Sequence, residues 1–188
     1  MKRKVHVYAN HLSSEIISLF EGLIDEHHVA VIDKQLLVFI DDLYYENDML
    51  DYEGLYELIR DDFSVDLTML IEPYTEEELP ISIECSKHLK NMKSGIYGYE
   101  EVLLEALLNK DKVIVSKLKE FINSQLHQEV IHSVRAFIDH NMNSSVTAKS
   151  LFMHRNTLNY RIDQFVSATH IEVKTFIGAM VIYLLYRE

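Results

Sequence analysis

Arg155, Asn156 and Asn159 stand within one short run, His154-Arg155-Asn156-Thr157-Leu158-Asn159-Tyr160-Arg161. Arginine pairs in two-pronged fashion with the O6/N7 edge of guanine, and asparagine with the N6/N7 edge of adenine. Donors of this kind, spaced along one helix, suit the major groove of double-stranded DNA. The candidate contact set is Lys149, His154, Arg155, Asn156, Thr157, Asn159, Tyr160 and Arg161. Arg155 and Asn156 are expected at base edges, and Lys149 and Tyr160 on backbone phosphate. The offset of Arg161 also allows it to turn back onto Asp163 or an acid elsewhere.

Such a set needs a scaffold, and the flanking residues spell one. Two short helices that cross over a shared core need a small residue at the crossing, which Ala148 supplies. They also need large apolar side chains inside, and Leu151, Met153, Leu158 and Ile162 stand at those offsets. The pattern is a helix-turn-helix. Phe152 departs from it, because many such turns carry glycine, and any other residue there must tolerate an unusual backbone.

The stretch from Thr147 to Ile162 closely resembles the C-terminal helix-turn-helix of PucR/CdaR-type transcription regulators, the purine-catabolism and sugar-diacid regulators. That family is marked by His-Arg-Asn-Thr-Leu-x-Tyr-Arg-Leu/Ile, matched here from His154 to Ile162. The resemblance runs from Val130 to Glu188. It takes in the preceding helix, Ile131 to His140, and the apolar helix after the motif, Val173 to Tyr186. It implies a DNA-binding, non-enzymatic regulator whose N-terminal domain serves either homodimer formation or control by a small-molecule effector of unidentified chemistry. The family usually carries an input domain ahead of these parts, so the chain is either a short member or a fragment. The rival reading is a helical protein-interaction module that does not bind DNA. The polar run at 154–161 argues against it, because partner grooves favour apolar knobs.

The 188 residues suffice for one large or two small domains, with five Gly and two Pro leaving little linker. No apolar leader opens the chain, and the apolar run from Phe176 to Tyr186 is too short for a bilayer. The lone Cys85 excludes an internal disulfide and fits a reducing cytoplasm. The net charge of −12 is concentrated before Leu126; from there on, six Lys/Arg meet five Asp/Glu. With so few cations to meet phosphate, one copy should bind weakly, and a dimer is the expected working form.

The first part reads as strand Lys4–Tyr8, a helix from Leu12 to Ile24, and strands His28–Ile32 and Leu36–Ile40 about an Asp33-Lys34-Gln35 turn. A helix over Tyr52–Phe63 and a strand over Asp66–Glu72 follow. The order βαββαβ predicts an α+β, ferredoxin-like domain with helices on one face of an antiparallel sheet. A further helix is expected over Thr75–Lys90, and Met92–Tyr99 reads as a hinge. Helices then follow to the C terminus, near 99–109, 111–125, 129–140, 146–152, 155–166 and 173–187. The expected division is 1–92, a helical connector 93–128, and the helix-turn-helix domain 129–188.

By element order the first domain resembles the degenerate GGDEF-like domain of the sugar-diacid regulators. The turn Asp33-Lys34-Gln35 lacks the glycines that let a backbone approach phosphate, and the first strand ends Tyr8-Ala9-Asn10 without a metal carboxylate. Cyclase chemistry, cofactor and metal are therefore not expected. The pairs His27/His28, His127/His132 and His6/His11 lack metal-ligand spacing. Asp33, Asp41 and Asp42 could hold a cation but more readily cap turns. Tyr44, Tyr45, Tyr52, Tyr56 and Tyr74 could line a groove but more readily cover a sheet edge.

Overall fold

A computed structural model describes residues 1–24, 28–42, 50–76, 78, 79 and 81–187. They form two compact units, Met1–Glu105 and Ala106–Glu188.

The first unit is built on a five-stranded sheet in the order β2-β3-β1-β4-β5. Strands β1 (Arg3–Ala9), β2 (Val29–Val31), β3 (Leu36–Asp41) and β4 (Leu67–Ile71) pair antiparallel, with β1 central. Alternation along β1 sends Val5, Val7 and Ala9 to one face, where α1 (Ser14–Leu23) and α2 (Tyr52–Phe63) cover them. Phe20 and Phe39 meet there at 5.5 Å between ring centroids. Both helices start on side-chain caps. Ser13 Oγ accepts from the Ile16 amide and Asp51 Oδ1 from the Gly54 amide. The β2–β3 turn closes on Asp33, whose Oδ1 accepts from the amides of Gln35 and Leu36 at 2.7 and 3.0 Å.

Three expectations need correction. Gly95–Gly98 is no hinge. It forms β5, parallel to β4, which makes the sheet mixed and carries the first unit past residue 92. Gly95 adopts φ 155°, a backbone that side-chain residues rarely take. The helix expected over Thr75–Lys90 is reduced to α3 (Ser82–Ser86) and a 3-10 turn at Leu89–Asn91. Thr75 is held in an extended bridge to Lys2, and a proline at 80 has no amide to give a helix. The sheet is covered on both faces rather than one. His6, on the face opposite Val5 and Val7, is buried against Ser82 of α3.

The division between the units falls within α4 (Tyr99–Leu108). The second unit continues with α5 (Lys112–Gln125), α6 (Gln128–Asp139), α7 (Ser144–Ser150), α8 (Arg155–Thr169) and α9 (Phe176–Tyr186). Its core gathers Ile114, Leu118, Ile122, Val134, Phe137, Leu158, Ile162, Phe165 and Val181. Helix α9 buries Ala179, Ile182 and Leu185 but leaves Phe176 exposed, so it is not buried all round. A Cβ at Gly178 would overlap the Glu172 carbonyl. This glycine thus admits the chain just ahead of its own helix rather than a second helix. Among the described residues no helix is long and apolar enough to cross a membrane.

Candidate nucleic-acid interface

Helices α6, α7 and α8 make one bundle, and each end of α7 is fixed locally. Asn143 Oδ1 accepts from the amides of Ser145 and Val146, both at 3.1 Å. At the other end the Phe152 amide donates to the Lys149 carbonyl at 3.2 Å, and the Met153 amide to the Ala148 carbonyl at 2.9 Å. This is a Schellman closure, and its left-handed position belongs to Phe152, with φ 52°. Ala148 is buried, as a crossing point requires. Replacing it with leucine should overpack the site by about 1–3 kcal/mol and abolish DNA binding by tilting α8. Thermal melting and a binding titration check this; survival of both properties would move the crossing elsewhere.

Helix α8 sorts its residues cleanly. Leu158, Ile162 and Phe165 are fully buried, while Arg155, Asn156, Thr157 and Tyr160 are exposed and Asn159 is half-buried. His154 is the N-cap, its Nδ1 accepting from the Asn156 amide at 3.2 Å. The cap engages one ring nitrogen and leaves Nε2 outside it. Thr157 and Tyr160 also line an open groove of about 700 Å³ between α8 and the start of α6, with His127, Gln128 and Gln164.

The cations divide into two kinds. Arg161 Nη2 donates to Glu129 Oε2 at 2.6 Å and Nη1 to Ser133 Oγ at 3.0 Å, tying α8 to α6. Asp163 is met by Lys174 at 2.7 Å rather than by Arg161. Lys149 and Arg155, in contrast, are exposed and, among the described residues, in no ion pair. The unit as a whole carries ten Lys/Arg against seven Asp/Glu, so the acidic excess belongs to the first unit.

The remaining constellations resolve into structural clusters. Asp41 receives Arg3 Nε at 2.9 Å and the hydroxyls of Tyr52 and of Tyr74, the latter at 2.8 Å. The Arg3 guanidinium lies 4.8 and 4.2 Å from the two ring centroids. Asp41 and Asp33 are thus engaged with protein groups, and no metal-competent group of three or more His, Cys, Asp or Glu occurs among the described residues. His27, Tyr44 and Tyr45 lie outside the described residues, and Tyr56 stacks with Arg60.

One cluster was not anticipated: His6, Glu72 and Ser82 meet in the buried layer. His6 Nε2 and the Ser82 hydroxyl both converge on Glu72 Oε1, and among the described residues His6 Nδ1 has no hydrogen-bond partner. A nucleophilic triad instead needs the imidazole between hydroxyl and acid, one nitrogen to each. With all three side chains sealed from solvent, the cluster holds the sheet rather than a substrate. Its members are 66 and 76 residues from His6, beyond any local motif.

Comparison with known proteins places this arrangement. Residues 130–187 match the PucR C-terminal helix-turn-helix domain. The chain is 34% identical over 84 residues to the uncharacterized protein YxkF of Bacillus subtilis (strain 168), covering 45% of this chain and 28% of that protein. It is 28% identical over 101 residues to the carbohydrate diacid regulator of Escherichia coli (strain K12), covering 49% of this chain and 26% of that protein. The chain thus spans little more than a quarter of these relatives. The crystal structure of the regulator of polyketide synthase expression from Bifidobacterium adolescentis shares the fold, with a TM-score of 0.54 and 13% identity. That likeness covers 99% of this chain and 78% of the other. Family match, relatives and the geometry of α6–α8 agree: residues 130–187 of this chain are similar to the PucR C-terminal helix-turn-helix domain.

Proposed function

We propose that the chain is a cytoplasmic transcription regulator of the PucR/CdaR type that reads double-stranded DNA with α8. One observation carries the reading. Helix α8 buries an unbroken apolar stripe and exposes Arg155, Asn156, Thr157 and Tyr160, side chains that packing does not require. Lys149 and His154 flank them, Asn159 borders them, and Arg161 positions the helix through Glu129 and Ser133. Residues 129–188 form the reading domain. A duplex seated on α8 would meet Arg155 and Asn156 through base edges and Lys149 and Tyr160 through phosphate.

The first domain serves dimerisation or effector control, not catalysis. The strand order β2-β3-β1-β4, with β1 antiparallel to both neighbours, supports a ferredoxin-like, GGDEF-like ancestry. The turn that would cradle nucleotide phosphates is instead closed on the Asp33 side chain. The low cation count of one reading domain calls for two copies, with recognition helices about one turn of duplex apart. Exposed Phe176 on α9 is apolar surface that a second copy would cover.

Light scattering of the full chain at micromolar concentration should give twice the chain mass. Fluorescence anisotropy with random-sequence duplex should show binding that weakens as salt rises. A monomer that holds a single half-site tightly would defeat the dimer. Absence of salt-dependent binding would defeat the DNA reading in favour of a protein-interaction module.

A further inference from the structure

Phe152 is 98% exposed and sits at φ 52°. Each property is unfavourable by itself. A bulky side chain in the left-handed region strains the backbone, and an exposed benzyl group orders water. Glycine would close the same Schellman turn without either cost. Packing within the fold therefore does not account for the ring.

Its surroundings indicate what would. Phe152 stands in the turn that delivers α8, three residues after Lys149 and three before Arg155, both exposed and, among the described residues, in no ion pair. Two unneutralised cations bracketing an exposed ring complement a polyanion better than they complement an apolar protein groove. The ring itself cannot pair with phosphate. The apolar feature that a duplex offers in its major groove is the C5-methyl group of thymine, which phenylalanine can contact.

We infer that Phe152 is a specificity residue that packs on a thymine methyl at the edge of the site read by α8. The inference rests on the DNA-reading function proposed above, and its test separates the two. The probe is a duplex selected by the wild-type full chain from a random-sequence pool, together with the same duplex carrying uracil for thymine.

Phe152→Gly should keep or raise the thermal midpoint, because the turn is relieved, while weakening binding to the selected duplex roughly tenfold. Uracil substitution should weaken wild-type binding to a similar degree and leave Phe152→Gly unaffected. The chain has no tryptophan, so Phe152→Trp supplies a lone tryptophan, excited beyond the tyrosine band, whose emission should shift when duplex is added. Equal affinity of Phe152→Gly and wild type, or wild-type indifference to uracil, overturns the thymine contact while the DNA reading stands. A change in oligomeric state at unchanged DNA affinity overturns it in favour of a protein contact. Failure of the wild type to select any duplex overturns both.

Discussion

Asp41→Ala should destabilise the first unit by about 3–5 kcal/mol, the cost of breaking a buried pair and leaving its partner charged. The Asp41 side chain is fully buried, and Arg3, only 14% exposed, has its guanidinium held between Tyr52 and Tyr74. Removing the carboxylate also strands two phenol hydroxyls that now donate to it. Urea unfolding of the full chain, followed by circular dichroism, measures the loss. A change below about 1 kcal/mol would mean that solvent reaches the cluster and screens it.

The same cluster sets an alkaline limit. Burial, then the hydrogen bond to Asp41, pushes the Tyr74 hydroxyl up to about 12, and Tyr52 is raised by the same two causes. A raised tyrosine favours the protonated, folded form. Its contribution is therefore fully present below about pH 10, the ordinary tyrosine value, and is lost as pH climbs toward 12. Thermal midpoints at rising pH should fall across that window, and by less in Tyr74→Phe.

The largest effects on binding fall on the outward face of α8. Arg155→Ala or Asn156→Ala should each cost about 1–3 kcal/mol on a selected duplex and relax preference at one base pair. Both side chains are exposed, so neither change should lower the melting temperature. Lys149→Ala should instead weaken all sequences alike and lower the salt slope by roughly one. Anisotropy titrations on selected and random duplexes at several salt concentrations separate the cases. If Arg155→Ala and Asn156→Ala weaken both duplexes equally, the two side chains do not read bases.

How much of this is legible in the sequence depends on how local the cause is. Helix starts are local: Ser13, Asp51 and Asn143 cap the first turns just ahead of apolar periodicity. The polar run at 154–161 is legible for a different reason, because burial of Leu158 and Ile162 leaves its other residues free to vary. Strand β5 escapes detection because four residues with a glycine at each end carry no alternation, and only parallel pairing with β4 makes them a strand. Arg161 shows the same limit. Asp163 lies two residues away, but residues at that spacing face different sides of a helix. Its partner Glu129 lies thirty-two residues earlier, on α6, and only the fold brings the two together. The Asp41 and Glu72 clusters likewise join residues through the sheet, where sequence distance says nothing about contact.

Left-handed residues other than glycine end several of the described helices, and three of these stops share the same pair of closing backbone hydrogen bonds: Lys110 after α4, Asn141 after α6 and Phe152 after α7. The closing hydrogen bonds come from backbone groups, so the stops survive exchange of the side chain. For Lys110 the left-handed backbone costs about 1 kcal/mol relative to glycine, less the entropy that glycine forfeits. Asn141 costs less, since asparagine tolerates that conformation. Lys110→Gly, above all, is therefore an unspent reserve outside the segment from Lys149 to Arg161. A lineage that acquired it could tolerate a mildly destabilising exchange on α8, and so try new base preferences without first losing the fold. The spacing of helix stops thus bears on evolvability: recognition can drift because the scaffold retains a means of compensation elsewhere.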